Sequence, residues 1–166
     1  MILPKPEFAL QYAGRGWRVF PVHSVQNGRC TCGQDCGKNA GKHPRIKGGF
    51  KIATADANQI EEWWRKWPDA NIGIATGSVS GIIVLDIDGP EGHASLAKLI
   101  ARCGLLDRTP IVKTARGWHL YFKAPADVAI PCSTGNGLDV RGDGGYVVAP
   151  PSVHVSGHVY EWCYVR

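Results

Sequence analysis

Three short stretches of this chain alternate apolar and ionisable residues at a period of two. That pattern constrains the fold more than any other feature. In 81–88, Ile83, Leu85 and Ile87 fall on one side of a strand, and Val84, Asp86 and Asp88 on the other. In 118–123, Trp118, Leu120 and Phe122 oppose His119 and Tyr121; in 138–141, Leu138 and Val140 oppose Asp139 and Arg141. Each strand therefore offers an apolar face for helices and a face carrying charge. Asp86 and Asp88 lie roughly 6.5–7 Å apart along their strand, and two such carboxylates repel unless a cation lies between them. Oxygen-only donors suit hard divalent ions, Mg²⁺ or Mn²⁺. Asp139 would complete a site for two metals of the kind used in phosphoryl or nucleotidyl transfer, with His119 and Arg141 beside the phosphates.

The remaining elements are short and mixed. Helices are predicted over 7–13, from Thr54 or Asp56 to Trp67, and over 91–103. The second has Ile60, Trp63, Trp64 and Trp67 as its apolar stripe, and the third has Leu96, Leu99 and Ile100 in the core. Further strands are predicted over 17–21, 72–76, 111–114, 146–148 and 159–162, with a tight turn at 77–80 joining 72–76 to 81–88. Gly 21 and Pro 11 fit many short elements rather than a helical bundle. The order points to an α+β fold with a largely antiparallel sheet. At 166 residues one domain is expected over 1–166, with an N-terminal α/β unit at 1–70 and a sheet core at 71–166.

Residues 24–49 contain almost no large apolar side chain, so this loop must be functional or tied down. Cys30, Cys32, Cys36 and His43 supply three thiolates and an imidazole within fourteen residues, a set that suits structural tetrahedral Zn²⁺. His23 is an alternative fourth ligand. Three of the six cysteines crowd here and the others lie far apart, unlike a disulfide framework. The first seven residues carry no apolar signal core, and no apolar run approaches the ~18 residues that span a bilayer. A reduced, cytoplasmic setting without a membrane partner is expected. Lys38, Lys42, Arg45, Lys47 and Lys51 stand with no acid between 38 and 51, and their count matches the net charge of +5. That concentration is a candidate surface for nucleic acid or a triphosphate.

In order along the chain stand Gly41-Lys42-His43-Pro44, Asn71-Ile72-Gly73-Ile74-Ala75-Thr76-Gly77, Val84-Leu85-Asp86-Ile87-Asp88, Gly117-Trp118-His119-Leu120-Tyr121-Phe122, and a long run from Gly137 through Asp139-Val140-Arg141-Gly142-Asp143-Gly144-Gly145 to Pro150-Pro151-Ser152. With these pieces the chain resembles the primase–polymerase domain (bifunctional DNA primase/polymerase, N-terminal) of the archaeo-eukaryotic primase superfamily, found in replication proteins of plasmids, phages and integrated elements. The resemblance implies an RNA-recognition-motif-like catalytic sheet with helices on one face, plus an N-terminal α/β unit carrying the zinc loop. It implies catalytic metals on Asp86, Asp88 and Asp139, the incoming nucleotide on His119, and its phosphates on Arg141. Lys42 would touch nucleotide or template. Where the superfamily often has a small hydroxyl residue two before the histidine, this chain has Gly117, so Thr114 or backbone amides would serve the phosphate.

The expected activity is template-dependent nucleotidyl transfer that makes or extends primers. Its partners would be single-stranded DNA and nucleoside triphosphates, with any helicase supplied by a downstream domain or another chain. A zinc-stabilised binding module without catalysis and a metal-dependent phosphohydrolase are the alternatives.

Overall fold

The computed structural model describes residues 4–163; the Met1–Leu3 part of the N-terminal reading lies outside the described residues. Helix α1 (Lys5–Gly14) leads into β1 (Val19–Val22), and a small hairpin of β2 (Val25–Gln26) and β3 (Arg29–Cys30) opens the cysteine loop. Helix α2 (Ala57–Lys66) starts where the sequence reading placed a cap. The Asp56 carboxylate accepts the Gln59 backbone N–H at 2.9 Å, satisfying one of the first-turn donors. Then follow β4 (Asn71–Ala75), β5 (Ile82–Asp88), α3 (Gly89–Cys103), β6 (Ile111–Lys113), β7 (Gly117–Lys123), β8 (Leu138–Arg141), β9 (Tyr146–Ala149) and β10 (Glu161–Cys163).

The fold is α+β with antiparallel sheets, as expected. One sheet has the order β1-β4-β9 and the other β10-β6-β7-β5-β8. One expectation changes here. The turn at 77–80 does not simply fold 72–76 back onto 81–88, because β4 and β5 belong to different sheets. The smaller sheet draws strands from both sides of residue 70, since β1 pairs with β4, and β4 with β9.

The principal core includes Phe20, Ile72, Ile74, Val84, Val112 and Tyr121, together with Tyr12 of α1 and Ile60 and Trp64 of α2. Of the predicted α2 stripe, Ile60 and Trp64 are buried, while Trp63 and Trp67 pack half-buried at its margin. Trp17 stacks between Tyr12 and Tyr121, with ring centroids 5.7 Å from each.

The periodicity identified the two faces of the larger sheet correctly, but more of the burial falls on the unexpected one. Val84, His119 and Tyr121, on the ionisable side, are buried. On the apolar side Ile87 is buried, but Ile83, Leu85, Leu120 and Phe122 are only half-buried. Helix α3 contributes only Gly92 as a buried residue, and Leu96, Leu99 and Ile100 remain half-exposed rather than forming a core. Around Val84, His119 and Tyr121 the ionisable face is thus the more enclosed of the two. Its charged groups sit where solvent is restricted and electrostatic interactions are stronger than in water.

Candidate functional site

Asp86 lies on β5, between β7 and the edge strand β8 of the larger sheet. Register places it directly across from His119 on β7 and from Asp139 on β8, so two neighbouring strands deliver their polar side chains to one point. His119 Nε2 lies 3.4 Å from Asp86 Oδ1. The Arg141 guanidinium donates to Asp139 Oδ2 at 2.8 Å and to Asp86 Oδ2 at 3.3 Å, bridging the two carboxylates. Burial pushes the Asp86 carboxyl up, but His119 and Arg141 outweigh it and hold the group below its ordinary value. His119 is buried, and its Nδ1 has no hydrogen-bond partner among the described residues. Such an atom is a cost unless a ligand or solvent satisfies it.

Asp88 ends β5, and its carboxylate pairs with Arg116. Arg116 lies in the turn between β6 and β7. Its role emerges from the register, which sets Asp88 opposite Gly117 and so brings the preceding residue against the carboxylate. The same turn explains the missing small hydroxyl residue. A Cβ at Gly117 would lie 1.8 Å from the Ile87 carbonyl oxygen, so no side chain fits there. Thr114 Oγ1 accepts the backbone N–H groups of Gly117 at 3.0 Å and Arg116 at 3.3 Å, fixing the turn and placing a hydroxyl beside it.

These groups line a cleft of about 620 Å³ between the sheets. It gathers Asp86, Asp88, Asp139, His119, Arg141, Thr114 and Lys42, which sequence reading had singled out from across a hundred residues. It also contains Lys38 of the basic run, and Arg116, His154 and Tyr160, which no sequence motif marks as site residues. Tyr160 lies ring to ring with His119 at 6.0 Å. Burial lowers the pKa of Lys42, with Asp88 pulling the other way. Burial likewise lowers that of His154, with Lys42 and Arg116 reinforcing it.

The basic run divides instead of forming one surface. Lys38 and Lys42 face the cleft, Arg45 lies over the Trp67 ring at 5.2 Å, and Lys47 and Lys51 remain exposed.

The cysteine loop closes on itself. Cys30 Sγ and Cys36 Sγ lie 3.2 and 3.4 Å from His43 Nε2, and Cys32 Sγ lies 3.3 Å from Cys36 Sγ. All four ligand atoms fall within 4.8 Å of one another. Tetrahedral zinc with bonds of ~2.0–2.3 Å requires donors roughly 3.3–3.8 Å apart, so the set is compatible with zinc. His23 is turned elsewhere, with Nδ1 3.0 Å from Thr31 Oγ1. The three aspartates do not gather in this way. They fit a hard cation by donor chemistry, as carboxylates sharing one sheet face, and Arg116 and Arg141 now balance their charge.

Asn71 ties the loop to the sheets. Its side-chain amide is fully buried and donates to the Gly41 and Val153 carbonyls, both at 2.9 Å, while its oxygen accepts from Val153 N at 3.0 Å. Tyr146 Oη donates to the Lys42 carbonyl at 3.1 Å. Lys42 is therefore held at the cleft by contacts to its own backbone neighbourhood from β4 and β9.

No helix among the described residues is long and apolar enough to cross a membrane. Comparison with curated proteins gives no match. The model of the bifunctional DNA primase/polymerase N-terminal domain matches residues 9–165, nearly the whole chain, and the protein belongs to that family.

Proposed function

We propose that the cleft carries out template-dependent nucleotidyl transfer from nucleoside triphosphates, making or extending primers on single-stranded DNA. The observation that carries this reading is the convergence of three carboxylates with His119, Arg141, Lys42 and Thr114 on one cavity. The strand order β6-β7-β5-β8, with α3 connecting β5 to β6, supports an RNA-recognition-motif-like catalytic sheet. No helix intervenes between β7 and β8.

Mg²⁺ or Mn²⁺ held by Asp86, Asp88 and Asp139 would stabilise charge developing on the α-phosphate. The side chains of the protein do the rest. Arg141 and Lys42 offer positive charge to the triphosphate, and the His119 ring is oriented by Asp86 to donate or accept at the nucleotide. A 3′-oxygen bonds to the α-phosphorus, the bond from that phosphorus to the bridging oxygen breaks, and pyrophosphate leaves. Zinc on Cys30, Cys32, Cys36 and His43 would be structural and would order a loop that lacks an apolar core.

Incubation with Mn²⁺, labelled nucleoside triphosphates and primed or unprimed single-stranded DNA tests the reading. Elongated or newly made product is expected. Release of phosphate or nucleotide without elongation would instead indicate a phosphohydrolase, and retarded DNA with neither product a binding module.

A further inference from the structure

A second cavity, of about 510 Å³, meets the first at the carboxylates. The two share only Asp86, Asp88, Asp139 and Arg116. Their other charges differ. The larger cleft adds Lys38, Lys42, His119, Arg141 and His154, a set matched to a polyphosphate. The smaller adds one cation, Lys98, and one anion, Glu91. Lys98 makes no salt bridge among the described residues. One uncommitted ammonium matches a single phosphodiester, not a triphosphate.

The wall of this cavity is fixed by direct contacts between α3 and the loop before β8. Ser95 Oγ donates to the Asn136 carbonyl at 2.8 Å, pinning α3 to the loop that enters β8. A Cβ at Gly92 would lie 2.3 Å from the Gly137 carbonyl oxygen, so helix and loop meet backbone to backbone. The positions facing the cavity from the helix are Glu91, Ala94, Ser95 and Lys98, one stripe at helical spacing.

In-line displacement requires the attacking oxygen to approach the α-phosphorus from the side opposite the departing pyrophosphate. With the triphosphate in the basic cleft, the attacker must arrive across the carboxylates. We infer that the α3 cavity receives the 3′-hydroxyl end of the acceptor strand, with Lys98 on its last phosphodiester. This rests on the nucleotidyl-transfer reading. The 3′-oxygen then forms its bond to the α-phosphorus from the α3 side, its proton passes to water, and pyrophosphate departs into the basic cleft.

The test uses the intact chain with Mn²⁺ and a labelled primer annealed to a single-stranded template, with primer–template and nucleoside triphosphate each varied in turn. Lys98→Ala should raise the KM for primer–template by about 5- to 10-fold and leave the KM for nucleotide within about twofold. Ala94→Trp, at an exposed helix position, should block the same cavity with the same split. Fluorescence anisotropy with primer–template should show the matching loss of affinity for both variants. A raised nucleotide KM with unchanged primer KM would overturn the assignment by reversing the cavities. Variants identical to wild type in both constants would overturn it while leaving the polymerase reading intact. Absence of incorporation by wild type would overturn both.

Discussion

The cysteine loop and the carboxylate cleft are both candidate ligand sites, but they are assembled on different scales. The loop draws all four ligands from fourteen consecutive residues, and a hairpin and a short turn suffice to bring them within 4.8 Å. The cleft draws on positions from Lys38 to Tyr160 and exists only where two sheets meet. A local site needs only its own backbone to fold. A distributed site depends on every register that separates its parts. Asn71 and Tyr146 connect the two, since they hold the Gly41–Lys42 segment against β4 and β9.

The largest expected effect separates them most sharply. Asp86→Asn should reduce nucleotide incorporation by about 10²–10³-fold or more, with circular dichroism and zinc content unchanged. Incorporation near the wild-type rate would remove the cleft from the chemistry. Cys36→Ser should act in the opposite sense, with loss of bound zinc by elemental analysis and a Tm lower by roughly 10 °C, or about 3 kcal/mol. Some incorporation should survive at high nucleotide concentration, because the carboxylates lie outside the loop. Full retention of zinc in that variant would break the four-ligand assignment.

Asn71→Ala probes the link between the regions. It leaves the Gly41 carbonyl and both polar groups of Val153 short of a partner, at a cost of roughly 2–4 kcal/mol and about 5–10 °C in Tm. Zinc should stay bound while the KM for nucleotide rises, because Lys42 loses its fixed position. An unchanged KM would show that the two regions act independently.

The smallest effect is a pH dependence. Asp86 has a folded pKa below its unfolded value of about 3.9, so its contribution is present above that value and is lost as pH falls through the folded one. With no divalent metal added, the wild type should therefore lose thermal stability below about pH 4 more steeply than Asp86→Asn. Parallel curves for the two would remove the favourable contacts from His119 and Arg141 as the cause.

Much of this was legible in the sequence, and unevenly. The cap at Asp56, the two faces of β5 and β7, and the zinc ligands all follow from short-range spacing. Leu96, Leu99 and Ile100 looked like core because amphipathic periodicity says which face turns inward, not how much covers it. Arg116 escaped notice because nothing local marks a turn residue whose partner is twenty-eight positions away. The five basic residues looked like one surface because sequence proximity hides the fold of the loop between them.

By itself the sequence determined the α+β class, most of the strands, the carboxylates and their face, the Cys₃His set and the family. These depend on residue type and on spacings of a few residues, where backbone geometry is nearly fixed. Tertiary structure alone decided that β4 and β5 part into different sheets, that the ionisable face is the more enclosed one around His119, and that Lys42 lines the same cleft as the aspartates. It also decided that a second cavity opens on their far side. Those outcomes depend on pairings between strands far apart in the chain. Such pairings are chosen by the packing of the whole core, and no local pattern encodes them.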